Sequence, residues 1–155
     1  MRKKSKTFFM ETTTINPPQT VGEIQQILGQ YGASQIMMEY DNGEVTGVFF
    51  NIRHGKQDVP FRLPCRWEKI KEKLDGRRHR NRGMQTRGRK PWDSTQQAKR
   101  IAWRQILRWI ESQLAFVDSG NAELLEVFTP YLLMDKRMTL YEKMRDTQFQ
   151  LEHKK

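Results

Sequence analysis

Asp41-Asn42-Gly43 is the segment that leaves this chain the fewest ways to fold. A two-residue type I′ turn needs positive φ at both central positions, and Asn followed by Gly is the pair that accepts this with least strain. Strand-like runs flank it: Ser34 to Tyr40 before, and Glu44 to Arg53 after, the latter with Val45, Val48, Phe49, Phe50 and Ile52. A second turn at His54-Gly55-Lys56 leads to Gln57–Leu63, where Val59, Phe61 and Leu63 alternate with Asp58, Pro60 and Arg62. Proline has no N–H for a ladder, so Pro60 assigns this strand to an edge. The pattern predicts a three-stranded antiparallel meander.

On either side of the meander the apolar spacing becomes helical. Thr20 and Glu23 fit a capping box, and Val21, Ile24, Ile27, Leu28 and Tyr31 follow at helical intervals up to Gly32. A short helix is expected over Arg66–Leu74, with Trp67, Ile70 and Leu74 on one face. The longest spans Ser94–Val117, capped by Ser94 with Gln97, its core stripe being Ala98, Ile101, Ala102, Ile106, Ile110, Leu114 and Val117. Asn121–Met134 reads as an apolar helix interrupted at Thr129-Pro130, and Thr139–Phe149 as a last one capped by Thr139 with Glu142. The fold class is therefore α+β: a three-stranded meander packed on helices, with an all-helical C-terminal half. Residues 1–19, with Thr12-Thr13-Thr14 and Pro17-Pro18, read as an extended arm, and residues 20–155 as a single domain.

The chain has 155 residues, 36% of them apolar, enough for one modest core. Cys65 is its single cysteine, which excludes an intramolecular disulfide framework and any multi-cysteine metal site. No apolar run approaches the roughly 18 residues of a membrane span. After the basic start Met1–Lys6, Thr7-Phe8-Phe9-Met10 is too short for a signal-peptide core. A cytoplasmic protein without a membrane partner is expected.

Positive charge is concentrated in the middle third. Arg66 to Arg108 holds 15 Lys and Arg against Glu68, Glu72, Asp75 and Asp93, whereas the rest of the chain holds 13 basic and 14 acidic residues. At its centre, Gly76 to Lys90 has seven basic residues, no acid and Met84 as its one aliphatic side chain. Such a segment buries too little apolar area to offset its ordering entropy, so a basic flexible loop is expected over residues 76–92. Solubility alone does not require arginine over lysine, yet here arginine leads six to one. Guanidinium groups suit phosphate forks and stacking on bases.

Little points to catalysis. There is no Gly-rich phosphate motif, and His54, His79 and His153 are scattered without ligand spacing. Cys65 has Arg66 beside it but no base placed by sequence, so a buried inert thiol is expected. Neither an enzyme nor a metal or cofactor is expected. The nucleic-acid candidates are Arg77, Arg78, Arg80, Arg82, Arg87, Arg89 and Lys90 in the loop, with Arg100, Arg104 and Arg108 as a helical stripe. Four-residue spacing sets the stripe about 6 Å apart along the axis, close to phosphate spacing. Trp92 and Trp103 are the candidate stacking platforms, with core packing the competing role for Trp103 and simple packing that for Trp92.

The order helix, three strands, helix resembles the double-stranded-RNA-binding domain, and Ser94 to Ala102 is similar to its second helix. The extra helix at Arg66–Leu74, and Thr95-Gln96 where that domain has a lysine pair, depart from it. A meander backed by helices with basic loops also resembles the core plan of single-strand annealing proteins. Ala102-Trp103-Arg104-Gln105-Ile106-Leu107-Arg108-Trp109-Ile110 through Ala115, with Glu126 to Tyr131 and Thr139-Leu140-Tyr141-Glu142, carries a resemblance of another kind. Together with Met38-Glu39-Tyr40 and Pro60 to Pro64, these stretches resemble a family of small proteins encoded by bacteriophages and integrated mobile elements. That resemblance carries no assigned activity or site residue; it implies replication, recombination or host interference as the setting. The expected function is a non-catalytic nucleic-acid-binding protein, with single-stranded DNA favoured and duplex DNA or RNA left open. A host-interference protein docking an acidic host surface is the alternative. Homo-oligomerisation through meander edges also stays open.

Overall fold

The computed structural model describes residues 7–80 and 93–150. The chain is a mixed α+β protein, running α1 (Pro17–Gln30), β1 (Ala33–Asp41), β2 (Glu44–His54), β3 (Gln57–Pro64), α2 (Glu68–Arg80), α3 (Ser94–Asp118), α4 (Leu124–Phe128), β4 (Leu133–Asp135), β5 (Met138–Thr139) and α5 (Leu140–Asp146). It divides into two compact units, residues 1–24 with 65–110 and residues 25–64 with 111–155.

In the second unit the meander forms as expected, an antiparallel sheet in the order β1-β2-β3. Asn42 at φ 50° and Gly43 at φ 78° close the first hairpin, the positive pair that a type I′ turn requires. Pro60 lies on the edge strand, opposite Asn51. Side chains alternate across the pleat, so one face buries Val48, Phe50, Ile52, Phe61 and Leu63. There Phe50 stacks on Phe61 with centroids 5.4 Å apart, and Phe128 meets Phe50 edge-on at 5.2 Å. The opposite face carries Gln35, Met37 and Glu39 on β1, with Gly47, Phe49 and Asn51 on β2 opposite them.

The C-terminal half is not all helical. After α4, Thr129-Pro130-Tyr131 tightens into a single 3₁₀ turn, and Leu132 leaves it in an extended conformation. Pro130 supplies no N–H to continue a helix. Leu132 then bridges to Phe61, and β4 pairs antiparallel with β5 across a turn in which Lys136 takes φ 43°. The last helix keeps its capping box: Thr139 Oγ1 accepts from the Glu142 amide at 3.3 Å, and Glu142 accepts from the Thr139 amide at 2.8 Å. It stops at Asp146, short of Phe149, because Gln148 and Phe149 turn left-handed at φ 55° and 57°.

In the first unit three boundaries move. α1 begins at Pro17, whose fixed φ suits a first helical position, and the Asn16 carbonyl accepts from the Gln19 and Thr20 amides. Thr20 therefore sits inside the helix, fully buried, with no hydrogen bond to its hydroxyl, and the expected capping box with Glu23 does not form. Asp93, not Ser94, caps α3: its Oδ1 accepts from the Thr95 and Gln96 amides at 2.9 and 3.3 Å. α2 continues past Leu74 to Arg80, so residues 76–80 of the expected loop are helical and its remainder, residues 81–92, lies outside the described residues. Along α3 the buried stripe includes Ala98, Ile101, Ala102, Ile110 and Leu114, with Leu107 inside and Ile106 only half-buried.

Candidate nucleic-acid interface

The basic third of the chain reaches the structure as α2 and the N-terminal half of α3. Leu74, Ala98 and Ile101 form a small buried cluster, covered by Phe8, Trp67 and Ile70. Residues 7–16 are joined to α3 by hydrogen bonds. Phe8 begins a tight turn, accepting from the Glu11 amide at 3.1 Å, and the segment is stitched down by side chains of α3. Gln97 Nε2 donates to the carbonyls of Glu11 and Thr13 at 2.9 Å each, and Gln105 Nε2 to that of Phe9 at 2.9 Å.

Arg77 is half-buried in this arrangement. Its guanidinium donates to Glu11 Oε1 at 2.6 Å and lies 4.7 Å from the centroid of the Phe8 ring. Lys73 Nζ approaches the same ring at 5.7 Å, and Lys99 Nζ sits 4.8 Å from that of Trp67. Lys69 and Lys73 are exposed on α2, while Lys71 bonds Asp75 at 2.9 Å. Arg78 and Arg80 lie in the last turn of α2.

The α3 stripe does not face solvent as a unit. Arg104 is buried, 6% exposed at its side chain, and donates to both carboxylate oxygens of Glu23 at 3.0 and 3.1 Å. Arg100 Nε donates to Asn16 Oδ1 at 2.9 Å, and Arg108 is half-buried. Trp103 is 1% exposed, which makes it a core residue and removes it as a stacking platform. The physical reason for the arginines is local. Spacing of four that could track phosphates also defines one face of a helix, and Asn16 just before α1 and Glu23 on α1 stand opposite this one. Glu23 is the single charged residue of α1, which was the sequence signal for an internal partner. Arg82, Arg87, Arg89, Lys90 and Trp92 lie outside the described residues.

Cys65 is buried and its thiol is pushed up to about 12, first by burial and then by the nearby Glu68 carboxylate. It is therefore a protonated core thiol at neutral pH. Among the described residues no group of His, Cys, Asp and Glu could hold a metal ion, and no helix is long and apolar enough to cross a membrane.

Sequence reasoning missed a second polar construction, on the open face of the sheet. Glu39 on β1 receives Arg62 Nη2 from β3 at 3.0 Å and Arg137 Nη1 from the β4–β5 turn at 3.1 Å. Arg62 also donates to the Arg137 carbonyl at 3.4 Å and lies 5.7 Å from the centroid of Phe49. Its signal was Arg62 among alternating residues of an edge strand, with a glycine, Gly47, on the strand between the two charges. No family model, curated protein or solved structure matches the chain.

Proposed function

We propose that this chain is a non-catalytic nucleic-acid-binding protein of a phage or mobile element, acting on single-stranded DNA in recombination or replication. The observation that carries the reading is the unbalanced charge of Gly76–Lys90, seven basic residues without an acid. This segment begins in the last turn of α2, so Arg77, Arg78 and Arg80 stand on a helix end. Elsewhere in the basic third the arginines have internal work: Arg104 holds Glu23 and Arg100 holds Asn16. That leaves the binding load on Arg78, Arg80, Arg82, Arg87, Arg89 and Lys90, with Arg77 divided between Glu11 and the ligand. Arginine can pair bidentately with phosphate and stack on unpaired bases, and single strands expose those bases. The mobile-element setting rests on the family resemblance of residues 102–115, 126–131 and 139–142.

Gel-shift titrations of the full chain with single-stranded DNA, duplex DNA and RNA test the reading. Tightest binding to single-stranded DNA supports it. Absence of binding to all three at low salt rejects it, and capture of an acidic host protein under the same conditions would favour host interference.

A further inference from the structure

We infer that the open face of the β1–β2–β3 sheet is a second nucleic-acid contact, which takes an unpaired base of single-stranded DNA on Phe49 and its phosphate on Arg137. The inference rests on the proposed nucleic-acid function but uses none of the residues assigned to it above.

Phe49 lies on the central strand, on the face opposite the buried Phe50, between Met37 on β1 and Arg62 on β3. The ring is half-buried, with the Arg62 guanidinium 5.7 Å from its centroid, and Met37 beside it on β1 is 61% exposed, so an apolar surface is partly open to solvent here. One row away Asn51 Nδ2 donates to Gln35 Oε1 at 3.0 Å. That pairing uses one polar atom of each amide and leaves the Gln35 amide nitrogen as a donor and the Asn51 amide oxygen as an acceptor. A cleft of about 220 Å³ opens here, lined by Gln35, Met37, Phe49, Asn51, Pro60 and Leu133 together with Phe50 and Phe61. This is below the roughly 300 Å³ at which pockets for drug-sized ligands begin, and suits one ring system.

Charge identifies the occupant. Two guanidiniums, Arg62 and Arg137, share the single carboxylate of Glu39, and Arg137 remains 76% exposed. Within the same rim Lys136 is also exposed, against Asp135, so cations outnumber acids three to two. A flat aromatic surface with donor and acceptor beside it and spare positive charge at its rim is the chemistry that receives a base and a phosphate. A second copy docked on this face would set Arg62 and Arg137 against their own equivalents, and like charges so placed disfavour the contact.

The test is fluorescence anisotropy of the full chain with labelled oligothymidylate, comparing Phe49→Leu, Phe49→Tyr and Arg137→Gln with wild type. Melting temperature is measured in parallel. Phe49→Leu keeps apolar bulk but loses the ring, and should weaken binding about tenfold at an unchanged melting temperature, the worth of one stacked base. Phe49→Tyr should recover most of that loss. Arg137→Gln should make the dependence of log affinity on log salt shallower by about 0.7, one phosphate. Photocrosslinking an oligonucleotide that carries 5-iododeoxyuridine should label the peptide spanning residues 44–53. If wild type binds while Phe49→Leu and Arg137→Gln bind equally well and no crosslink falls in 44–53, the sheet-face contact is overturned and the proposed function stands. If wild type binds no nucleic acid, both fall. A dimer that Phe49→Leu dissociates would make the face a self-interface and overturn the contact as well.

Discussion

The Glu39 carboxylate occupies the space a side chain on Gly47 would fill: a Cβ built there would come within 3.0 Å of Glu39 Oε2 and 3.3 Å of the Leu63 carbonyl. Gly47 thus lets charges from both edge strands meet above the central one, where Glu39 is 10% exposed and Arg62 16%. Gly47→Ala is expected to destabilise the protein by about 1–3 kcal/mol, the usual range for overpacking. Urea denaturation measures it.

Two isoleucines one turn apart on α3 should behave differently. Ile110 is fully buried, and Ile110→Ala should cost about 2–5 kcal/mol. Ile106 is half-buried, so Ile106→Ala should cost less than half as much. Their denaturation midpoints give the comparison directly.

Arg104 separates a structural arginine from a binding one. Arg104→Gln should lower stability by roughly 1–3 kcal/mol, since it removes a hydrogen-bonded cation from a buried site facing Glu23. Its affinity for single-stranded DNA should stay within about twofold of wild type, within the scatter of a tenth-to-tenfold scale on which each 1.4 kcal/mol is a factor of ten. Anisotropy and thermal melting on one preparation check both halves.

Cys65 makes an alkaline prediction. Its thiol is raised from 9.0 to about 12 in the folded chain, so between these values the unfolded thiol loses its proton while the folded one keeps it. The unfolded state then binds fewer protons, and the stability that Cys65 contributes falls as pH rises through this window, being fully present below 9.0. Cys65→Ala should flatten the decline in melting temperature over that range. Thiol titration with a disulfide reagent at neutral pH should be slow in the native protein and fast in guanidinium.

What the sequence showed plainly were features set by local chemistry. The meander followed from Asn42-Gly43 and the alternation around Phe61, because a turn that demands positive φ and a period of two admit few alternatives. The Thr139–Glu142 cap was legible for the same reason. Where a residue's partner lay far along the chain, local reading failed. Thr20 and Glu23 have the spacing of a capping box, but Pro17 starts the helix earlier and Arg104 takes the carboxylate from 81 residues away. The strands β4 and β5 were hidden in an apolar run that reads equally as helix, and only the bridge from Leu132 to Phe61 decides between them. At the candidate interface, the charge of Gly76–Lys90 was visible, whereas the pairing of Arg104 depended on Glu23 of α1, far along the chain.

The central claim is that the basic segment binds single-stranded DNA through its arginines. It is tested most directly by measuring affinity for oligothymidylate against salt, for wild type and for Arg78, Arg80, Arg82 and Arg87 replaced together by Gln. Wild type should show a slope of log affinity on log salt of about −4 to −5, and the variant one shallower by about 3, with at least a tenfold loss at moderate salt. Its melting temperature should be unchanged, since Arg77, which holds Glu11 and Phe8, is left in place. Equal affinity and equal slope for the two proteins would contradict the account.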